Sequence, residues 1–490
     1  MELVKKTSTN KPKTFWGEEM EEYRIVVDQS TSGTKVLLVK TTEDDIKIIN
    51  RVDKAHKQIY PKPGWVEHDP IEIIENVKEL ITQVLMVSKM KEEEISSLSI
   101  VNQRETVVIW DKKTGKPLIN ALVWQCNRGG EICEDLINDV QEELIQTKTG
   151  LKIDTYFSGS KLKWFFTHQE AESAAEIATG TMDSWLIWNL TNKEVFATEP
   201  SNASRTLLYN IHTQQWDEEL CHLFNTPIIG LPEIRSSDGS FGSYKGIPII
   251  GVMGDSQAAL YGQNLIKKGD VKATLGTGCS ILMHNGENHL IEGNSVLRTV
   301  AWKKNNETSY ALEGIIRSCT DTLNWLSKEL GFFSTVEEGS EIAFSIPDSG
   351  SVYLIPAQLG LATPFWKSDA KASFVGMTRS STKSQLIRAA FDSIAFQVKA
   401  VIDEIEKNAK IKIESIKIDG GASKNKELLQ LIADTLQKKI ITEEVEEMSA
   451  LGVLLMSFDI NRNQKNQKVF EPKNDNEDQY IEWLEYVNKI

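Results

Sequence analysis

The sequence predicts an α/β fold in two domains that face each other across a cleft. Strand-like runs alternate with amphipathic helical segments, which is the pattern of the α/β class. One strand–turn–strand unit occurs near the start and a second opens the latter half, each with a small, hydroxyl-rich turn. A chain of 490 residues, 40% of them hydrophobic, is also too long for one ordinary core, so two sizeable domains are expected.

The composition excludes several functional classes. With 55 basic residues against 70 acidic ones, the net charge of −15 argues against binding nucleic acid or anionic membranes through a broad basic face. No run approaches the roughly 20 apolar residues of a membrane span, and the polar start lacks the apolar core of a signal peptide, so a cytoplasmic protein is expected. The 5 cysteines form no Cys-x-x-Cys pair and are predicted to be buried free thiols.

The first domain is predicted to begin after a polar, loosely ordered tail at residues 1–22, which has no periodic apolar pattern. Residues 23–27 and 36–39 predict the two strands of a hairpin, joined by the polar turn 28–35. Apolar residues recur at helical spacing over 70–87. Two further strands are predicted, over 98–101 and 106–110.

The second domain is predicted to open with a hairpin of the same kind, and we place the boundary between 23–261 and 262–490. Residues 271–275 and 281–283 predict strands on either side of the turn 276–280. Farther on, a strand at 416–418 enters the glycine turn 419–422 and an apolar helix follows. The polar segment 461–479 is interpreted as a solvated loop before a last amphipathic helix.

Three turns carry candidate chemistry. Asp28, at the end of a buried strand, precedes a run of amides and hydroxyls that could hold Mg²⁺ and phosphate, although a plain polar turn is equally compatible with this segment alone. Gly276, Thr277 and Gly278 would let backbone approach a phosphate closely. The glycine turn at 419–422 fits a flat ligand, yet a lone Asp-Gly-Gly is more often only a turn. In this order and spacing, the three turns are far more specific together than singly.

Together these turns resemble the actin-like ATPase core, a ribonuclease H-like fold shared by sugar kinases, actin and the heat-shock chaperones. The segments between them narrow the resemblance to the glycerol kinases of the FGGY carbohydrate kinase family. They are 102–106 (NQRET), 120–125 (NALVWQ), 153–159 (IDTYFSG), 180–188 (GTMDSWLIW), 201–206 (SNASRT), 254–260 (GDSQAAL), 311–314 (ALEG), 388–389 (RA) and 393–397 (SIAFQ). The resemblance implies two such domains facing a central cleft, the first with the substrate site and one phosphate hairpin, the second binding nucleotide.

The resemblance also implies an enzyme, a kinase that moves the γ-phosphoryl group of ATP to a terminal hydroxyl of glycerol or a related small polyol, with Mg²⁺. Asp255 matches the catalytic base, and Asp28 and Asp255 match metal-organising carboxylates. The polyol-binding positions that it implies are Arg104, Glu105, Trp124, Tyr156 and Asp255. The nucleotide-binding positions are Thr31, Ser32, Lys35, Gly276, Thr277, Thr320, Asn324, Gly421 and Asn425. Without the resemblance, Asp255 would be interpreted as a helix N-cap. For Trp124, ordinary core packing and a wall against the C–H side of the substrate are both open.

Two serines depart from the family pattern and bear on the substrate. Ser256 and Ser280 stand where the family has glutamine and phenylalanine, and we count both among the substrate-binding residues. Smaller, hydroxylated side chains leave room for further substrate hydroxyls, so erythritol, threitol, a pentitol or a ketopentose such as xylulose is an alternative to glycerol. A non-catalytic nucleotide- or sugar-binding relative is the alternative from another class, although Asp28 and Asp255 are both present. The resemblance also implies a homodimer or homotetramer.

Overall fold

The computed structural model describes residues 21–43, 45–137, 139–168, 176–288, 293–443, 447–460 and 466–490. The tail predicted at 1–22 therefore lies almost wholly outside the described residues. The first strand begins at Glu22, one residue before the predicted start of the fold. All five cysteines are buried free thiols, as predicted.

Two large sheets, several small ones and helices packed on them form the described part of the chain. The strands are β1 (Glu22–Gln29), β2 (Gly33–Thr41), β3 (Ile46–Ala55), β4 (Glu67–His68), β5 (Ile95–Asn102), β6 (Val107–Asp111), β7 (Ala121–Leu122), β8 (Ile177–Thr181), β9 (Ala197–Thr198), β10 (Tyr209–Asn210), β11 (Gln215–Trp216), β12 (Glu233–Ile234), β13 (Ser240–Tyr244), β14 (Ile247–Gly254), β15 (Val271–Leu275), β16 (Cys279–His284), β17 (Leu297–Lys304), β18 (Glu307–Ile316), β19 (Tyr353–Ile355), β20 (Ser373–Val375), β21 (Ser415–Asp419), β22 (Lys439–Glu443) and β23 (Gln467–Phe470).

The helices are α1 (Pro70–Ser88), α2 (Gly130–Leu136), α3 (Asp139–Thr149), α4 (Ser158–His168), α5 (Met182–Leu190), α6 (Pro200–Ala203), α7 (Glu218–Leu223), α8 (Asp255–Gly262), α9 (Thr320–Lys328), α10 (Val336–Phe344), α11 (Lys383–Ala409), α12 (Lys426–Leu436), α13 (Met448–Phe458) and α14 (Glu477–Lys489). The predicted first helix begins where its sequence requires. Asp69 accepts the N–H of Ile71 at 2.8 Å and Pro70 occupies the first turn, where its missing N–H costs nothing.

The two large sheets repeat one arrangement. In the first, ordered β13-β14-β5-β1-β2-β3, β1 is antiparallel to β2 and parallel to β5, and β5 is parallel to β14. In the second, ordered β17-β18-β16-β15-β21-β22-β23, β15 is antiparallel to β16 and parallel to β21, which is parallel to β22. Each sheet therefore sets a hairpin beside parallel strands, and their carboxyl ends form one edge per sheet. The two predicted hairpins are confirmed.

One sequence prediction at the end of the chain is wrong. The segment 461–479 was expected to be a loop, but Gln467–Phe470 forms β23, which pairs antiparallel with β22, and α14 begins at Glu477. An edge strand that buries only part of Phe470 carries almost no apolar alternation, so its pattern does not differ from that of a solvated loop. Residues 461–465 lie outside the described residues.

Helix α13 crosses from the second half of the sequence to the first sheet. Its residues Ala450, Val453 and Leu454 share a core cluster with Val26 and Met253 of the first sheet. It also packs against α8 at Gly262 and Gly452, where an added Cβ on either glycine would collide with a backbone carbonyl of the other helix. The backbones of α8 and α13 therefore touch directly, and the first half of the chain is completed by a helix from the second.

Candidate active site

The carboxyl edge of the first sheet gathers three of the predicted site residues. Asp28 is the penultimate residue of β1, Arg104 follows β5 by two residues, and Asp255 follows β14 directly and begins α8. Because β1, β5 and β14 are parallel, their carboxyl ends lie side by side. This edge is where ligands bind in open α/β sheets.

Asp255 is held by Arg104 while part of it stays open to the cleft. Its Oδ1 lies 3.2 Å from Arg104 Nε and accepts the backbone N–H of Ser256 at 2.7 Å. The Asp255 side chain is 39% exposed, whereas that of Arg104 is 3% exposed. The N-cap position of α8 is Gly254, not Asp255. A reactive carboxylate that is anchored at one oxygen and open to solvent suits a base that must meet a substrate.

Arg104 and Glu105 belong to a buried network of charges. Arg104 Nη2 donates to Glu313 Oε1 at 3.0 Å, and Arg205 Nε donates to Glu105 Oε1 at 2.6 Å. Arg205 Nη1 lies 2.5 Å from Glu313 Oε2. All four side chains are almost completely buried, so the charges are held apart from water and each has a partner of opposite sign.

Glu105 adopts a strained backbone. Its φ is +59°, and the N–H of Thr106 donates to the carbonyl of Arg104 at 2.7 Å, which makes a tight turn around Glu105. For a residue with a long side chain this conformation is uncommon and costs about 1–3 kcal/mol. Such strain clusters at binding and active sites, where the fold holds a side chain in the position that its chemistry needs.

Two guanidinium nitrogens of this network lack a hydrogen-bond partner in the described part of the chain. Arg104 Nη1 and Arg205 Nη2 are buried and have no hydrogen-bond partner within the described residues, whereas Arg104 Nε and Arg205 Nη1 are in ion pairs with Asp255 and Glu313. Leaving a buried donor without an acceptor is unfavourable. Hydroxyl oxygens of a small polyol are acceptors of the right kind, so the donor set fits such a substrate.

Trp124 and Tyr156 form an aromatic wall that reaches the first phosphate hairpin. Their ring centroids are 5.3 Å apart, and Trp124 Nε1 donates to Thr31 Oγ1 at 2.9 Å. Burial, reinforced by the charge of Glu105, raises the pKa of the Tyr156 phenol, so that it stays protonated and can donate a hydrogen bond. The wall thus joins a predicted polyol residue to a predicted phosphate residue.

The two predicted phosphate turns differ in how much their side chains are already engaged. In the first, the N–H of Ser30 donates to the carbonyl of Gly33 at 2.9 Å, Thr31 is half-buried and Ser32 is exposed. Lys35 lines the cleft, yet its Nζ lies 3.0 Å from Glu447 Oε2. A phosphate at this place would compete with Glu447 for the lysine.

The second turn, residues 276–278, is hydrogen-bonded to the start of α9. The N–H groups of Cys319 and Asp321 donate to the carbonyl of Thr277 at 2.9 and 3.3 Å, and Thr320 Oγ1 donates to the carbonyl of Gly276 at 2.7 Å. Thr277 itself is exposed. Thr320 therefore supports the turn through its hydroxyl, in addition to any contact with nucleotide.

The glycine turn after β21 has one crowded and one open glycine. Gly420 has φ +91° and lies against the carbonyl of Leu275, so a side chain there would clash. A Cβ at Gly421 would meet no heavy atom within 4 Å, which leaves space for a flat group against the backbone. Asn425 caps α12, accepting the N–H of Leu428 at 2.9 Å. Asn324 is exposed on α9.

A cleft of about 710 Å³ lies between the two halves. Its lining includes the predicted residues Lys35, Asp255, Ser256 and Gly421, together with Gly420, whereas Asn324 and Asn425 are not part of it. Ser280 does not line the cleft, and its hydroxyl donates to Glu313 Oε1 at 2.9 Å. Of the predicted polyol residues only Asp255 and Ser256 line the cleft, and Arg104 reaches it through its 3.2 Å contact with Asp255. The other predicted polyol and phosphate residues lie outside the cleft lining: Glu105, Trp124, Tyr156, Thr31, Ser32, Gly276 and Thr277.

Asp28 and Asp255, at the carboxyl edge of the first sheet, fit a divalent cation that is also bound by phosphates. Burial raises the pKa of Asp28 to about 7; Lys35 opposes the rise, and Glu447 and Asp255 add to it. A cation beside Asp28 would favour its charged form. Among the described residues no group of three or more His, Cys, Asp or Glu side chains could hold a metal alone. One or two carboxylates completed by phosphate oxygens and water is the usual pattern for Mg²⁺.

Arg205, Glu313 and Glu447 have no role that was predicted from the sequence. A glutamate inside the apolar run 310–316 was the available signal for Glu313, since an unpaired charge would not be buried there. Glu447 accepts a hydrogen bond from Arg51 Nη1 at 2.6 Å as well as pairing with Lys35.

Of the helices in the described residues, none combines the length and the apolar character that a bilayer crossing needs.

Comparison with known proteins agrees with the two-part architecture. The model of the FGGY family of carbohydrate kinases, N-terminal domain, matches residues 23–262, and that of the C-terminal domain matches residues 271–458. The chain is 45% identical to glycerol kinase 1 of Thermotoga maritima over 446 residues, 89% of this chain and 90% of that one. It is 40% identical to the glycerol kinase of Caldanaerobacter subterraneus over 493 residues, 96% of this chain and 99% of that one.

Solved structures show the same fold. The ADP-bound glycerol kinase of Plasmodium falciparum superposes with a TM-score of 0.85 at 34% identity, covering 96% of this chain and 98% of that one. The gluconate kinase of Lactobacillus acidophilus superposes with a TM-score of 0.84 at 22% identity, covering 96% and 97%, which speaks to the fold alone. The predicted fold class is confirmed: two α/β units of actin-like topology on either side of a cleft.

Proposed function

Because this chain belongs to the FGGY family of carbohydrate kinases, we propose that it transfers the γ-phosphoryl group of ATP to a terminal hydroxyl of glycerol, releasing glycerol 3-phosphate and ADP. The observation that carries the proposal is the contact between Asp255 and Arg104, because the buried Nη1 of Arg104 has no hydrogen-bond partner in the described residues. It places a base beside a set of hydroxyl-binding groups. The relatives named glycerol kinase support the same substrate.

The polyol would be held by charged groups and an aromatic wall. Arg104 donates N–H groups to substrate oxygens, and Glu105, fixed by Arg205, accepts from a neighbouring hydroxyl. The Tyr156 phenol adds a donor, and Trp124 covers the C–H side of the substrate. A site that pairs donors and acceptors with neighbouring hydroxyls discriminates strongly against analogues that lack one.

Proton transfer is assigned to Asp255. Its open oxygen accepts the proton of the terminal hydroxyl as that oxygen forms a bond to the γ-phosphorus, and the bond from phosphorus to the β,γ-bridging oxygen breaks. Arg104 keeps the carboxylate in place through the 3.2 Å contact at Nε. Asp255 is also one of the two carboxylates that we assign to the metal, together with Asp28.

The nucleotide is assigned to the two hairpins and the glycine turn. Backbone and hydroxyl groups at Thr31, Ser32, Gly276 and Thr277 would bind phosphates, and the open face of Gly421 would receive the adenosine. Mg²⁺, when bound, supplies positive charge that offsets the phosphate oxygens. Closure of the halves would exclude water from the transfer. The domain bounds 23–261 and 262–490, a cytoplasmic location and a homodimer or homotetramer stay predictions.

A larger polyol or a ketopentose is the second candidate within the class. Ser256 lines the 710 Å³ cleft and is half-buried, so it could bind a further hydroxyl. Ser280 supports this candidate less, because its hydroxyl already donates to Glu313. Either substrate would use the same base, so the two candidates differ in acceptor alone.

The test is ADP release by the purified protein with Mg-ATP against glycerol, erythritol, threitol, pentitols and ketopentoses. We expect glycerol to give the highest kcat/KM. Asp255→Asn should lower kcat by about 10²–10⁴-fold, because the base is lost while Arg104 and Glu105 still hold the alcohol. Preference for a four- or five-carbon acceptor would select the second candidate. Silence on every acceptor, or full activity of the variant, would refute the proposal.

A further inference from the structure

Glu313 is a fully buried carboxylate at the meeting point of the two halves. It lies on β18 of the second sheet and is 0% exposed. Its Oε1 accepts from Arg104 at 3.0 Å and from Ser280 at 2.9 Å, and its Oε2 lies 2.5 Å from Arg205. Of the carboxylates in the described residues, it alone is recorded in ion pairs with both arginines.

The two arginines carry the substrate contacts of the first half. Arg104 contacts the base, Asp255, at 3.2 Å, and Arg205 fixes the acceptor, Glu105, at 2.6 Å. Burial would raise the pKa of Glu313, but Arg104 and Arg205 together hold it at about 2, so that it is ionised throughout the working range of the enzyme. A permanent negative charge between two cations fixes the distance and the orientation of both guanidinium groups.

We propose that Glu313 is a positioning residue for the acceptor alcohol: it sets the places of Arg104 and Arg205 in the polyol cradle without touching the substrate. The inference rests on the proposed function. Glu313, a residue of the second half, would then take part in selecting the alcohol. All the groups assigned to contact with the alcohol, except Ser280, belong to the first half.

Ser280 extends this arrangement towards the nucleotide. It lies on β16, the strand that leaves the turn Gly276–Gly278, and its hydroxyl steadies the same oxygen of Glu313 that accepts from Arg104. The phosphate turn and the polyol cradle are thus joined through two side chains. The cradle is complete when β18 of the second half brings Glu313 to Arg104 and Arg205 of the first.

The test measures selectivity between glycerol and 1,3-propanediol, which lacks the central hydroxyl, for Glu313→Gln, Ser280→Ala and the wild type. Glutamine keeps the shape of Glu313 and removes its charge. Since a hydrogen bond to a charged group discriminates by roughly 10–100-fold, the ratio of kcat/KM for the two alcohols should narrow by about 10-fold in Glu313→Gln, with KM for ATP nearly unchanged. Ser280→Ala, which keeps both ion pairs, should narrow the ratio about 3-fold and carries the test if Glu313→Gln does not fold.

Asp392→Asn is the matched control. Asp392 is a buried carboxylate on α11 that accepts Arg388 Nε at 2.8 Å and belongs to no part of the site. The Asp392→Asn variant should lose stability and keep the wild-type ratio of kcat/KM for glycerol and 1,3-propanediol. If Glu313→Gln and Ser280→Ala also keep that ratio while the wild type is active, the role of Glu313 is structural only and the inference fails. A wild type without activity on any acceptor instead refutes the proposed function and this inference with it.

Discussion

The buried carboxylate of Asp28 should make the protein less stable as the pH rises, and Asp28→Asn should remove that dependence. Below its unfolded value of 3.8, Asp28 is protonated in both the folded and the unfolded chain and has no effect. Between 3.8 and about 7 the unfolded chain releases the proton while the folded protein retains it, so the free energy of unfolding falls. Above pH 7 the loss is complete.

The size of the effect follows from the two pKa values. The difference between 3.8 and about 7, at about 1.36 kcal/mol per pKa unit, amounts to about 4 kcal/mol. A domain of 150–250 residues changes its Tm by about 2–4 °C per kcal/mol. The Tm of Asp28→Asn minus that of the wild type should therefore increase by about 10 °C between pH 4 and pH 8.

The assay is thermal unfolding of both proteins at one scan rate from pH 4 to pH 8, without nucleotide or metal. Other buried acids, such as Glu199, whose pKa burial raises to about 7, cancel in the difference between the two proteins. Asp369→Asn, at an exposed carboxylate, is the control and should give a flat difference. Adding Mg-ADP at pH 8 should raise the Tm of the wild type more than that of Asp28→Asn, because the cation favours the charged carboxylate.

A difference that stays flat across this pH range would refute the reasoning. It would mean that Asp28 is not held in a water-poor position beside Glu447 and Asp255. If the Tm difference is flat but Mg-ADP still raises the Tm of the wild type more than that of Asp28→Asn, the raised pKa of Asp28 is refuted while its assignment to the metal stands.

The remaining predictions concern nucleotide binding. Gly420→Ala should cost about 3 kcal/mol of stability, because its φ is +91° and the carbonyl of Leu275 lies against it. Gly421→Ala should keep the wild-type Tm, because its new methyl group meets open space, and should raise KM for ATP, because that space is the one assigned to the adenosine. Equal Tm values for the two variants would contradict the geometry. Trp124→Phe removes the 2.9 Å hydrogen bond to Thr31 and should raise KM for ATP about 5-fold, and an unchanged KM in steady-state assays would show that Thr31 does not need it.

Local sequence features were enough to predict the two hairpins and the glycine turn. Each joins a short apolar strand to a turn of small residues within about ten positions, so the strand and the turn can both be predicted from neighbouring residues. Arg205 and Glu313 could not be given roles in this way. They are 108 positions apart in the sequence, and the fold alone brings the two side chains within 2.5 Å of each other.

The pairing of Lys35 shows a second limit. The sequence suggested a cation for phosphate, and the structure adds Glu447 from the start of α13, which is 412 residues away. Similarly, Asn425 was predicted to face the nucleotide, and its side chain also caps α12. Candidate site positions could thus be chosen from the sequence, whereas the groups of the protein that pair with their side chains could not.

The contact of α13 with α8 has a consequence for dividing the polypeptide. A gene cut between the two family segments, at residues 263–270, would give an amino-terminal fragment whose Val26 and Met253 lack the helix that covers them. The carboxyl-terminal fragment would carry that helix with its apolar face uncovered. Each fragment made alone should aggregate, and co-expression should restore a soluble pair, so this enzyme lends itself to split-protein complementation at that junction.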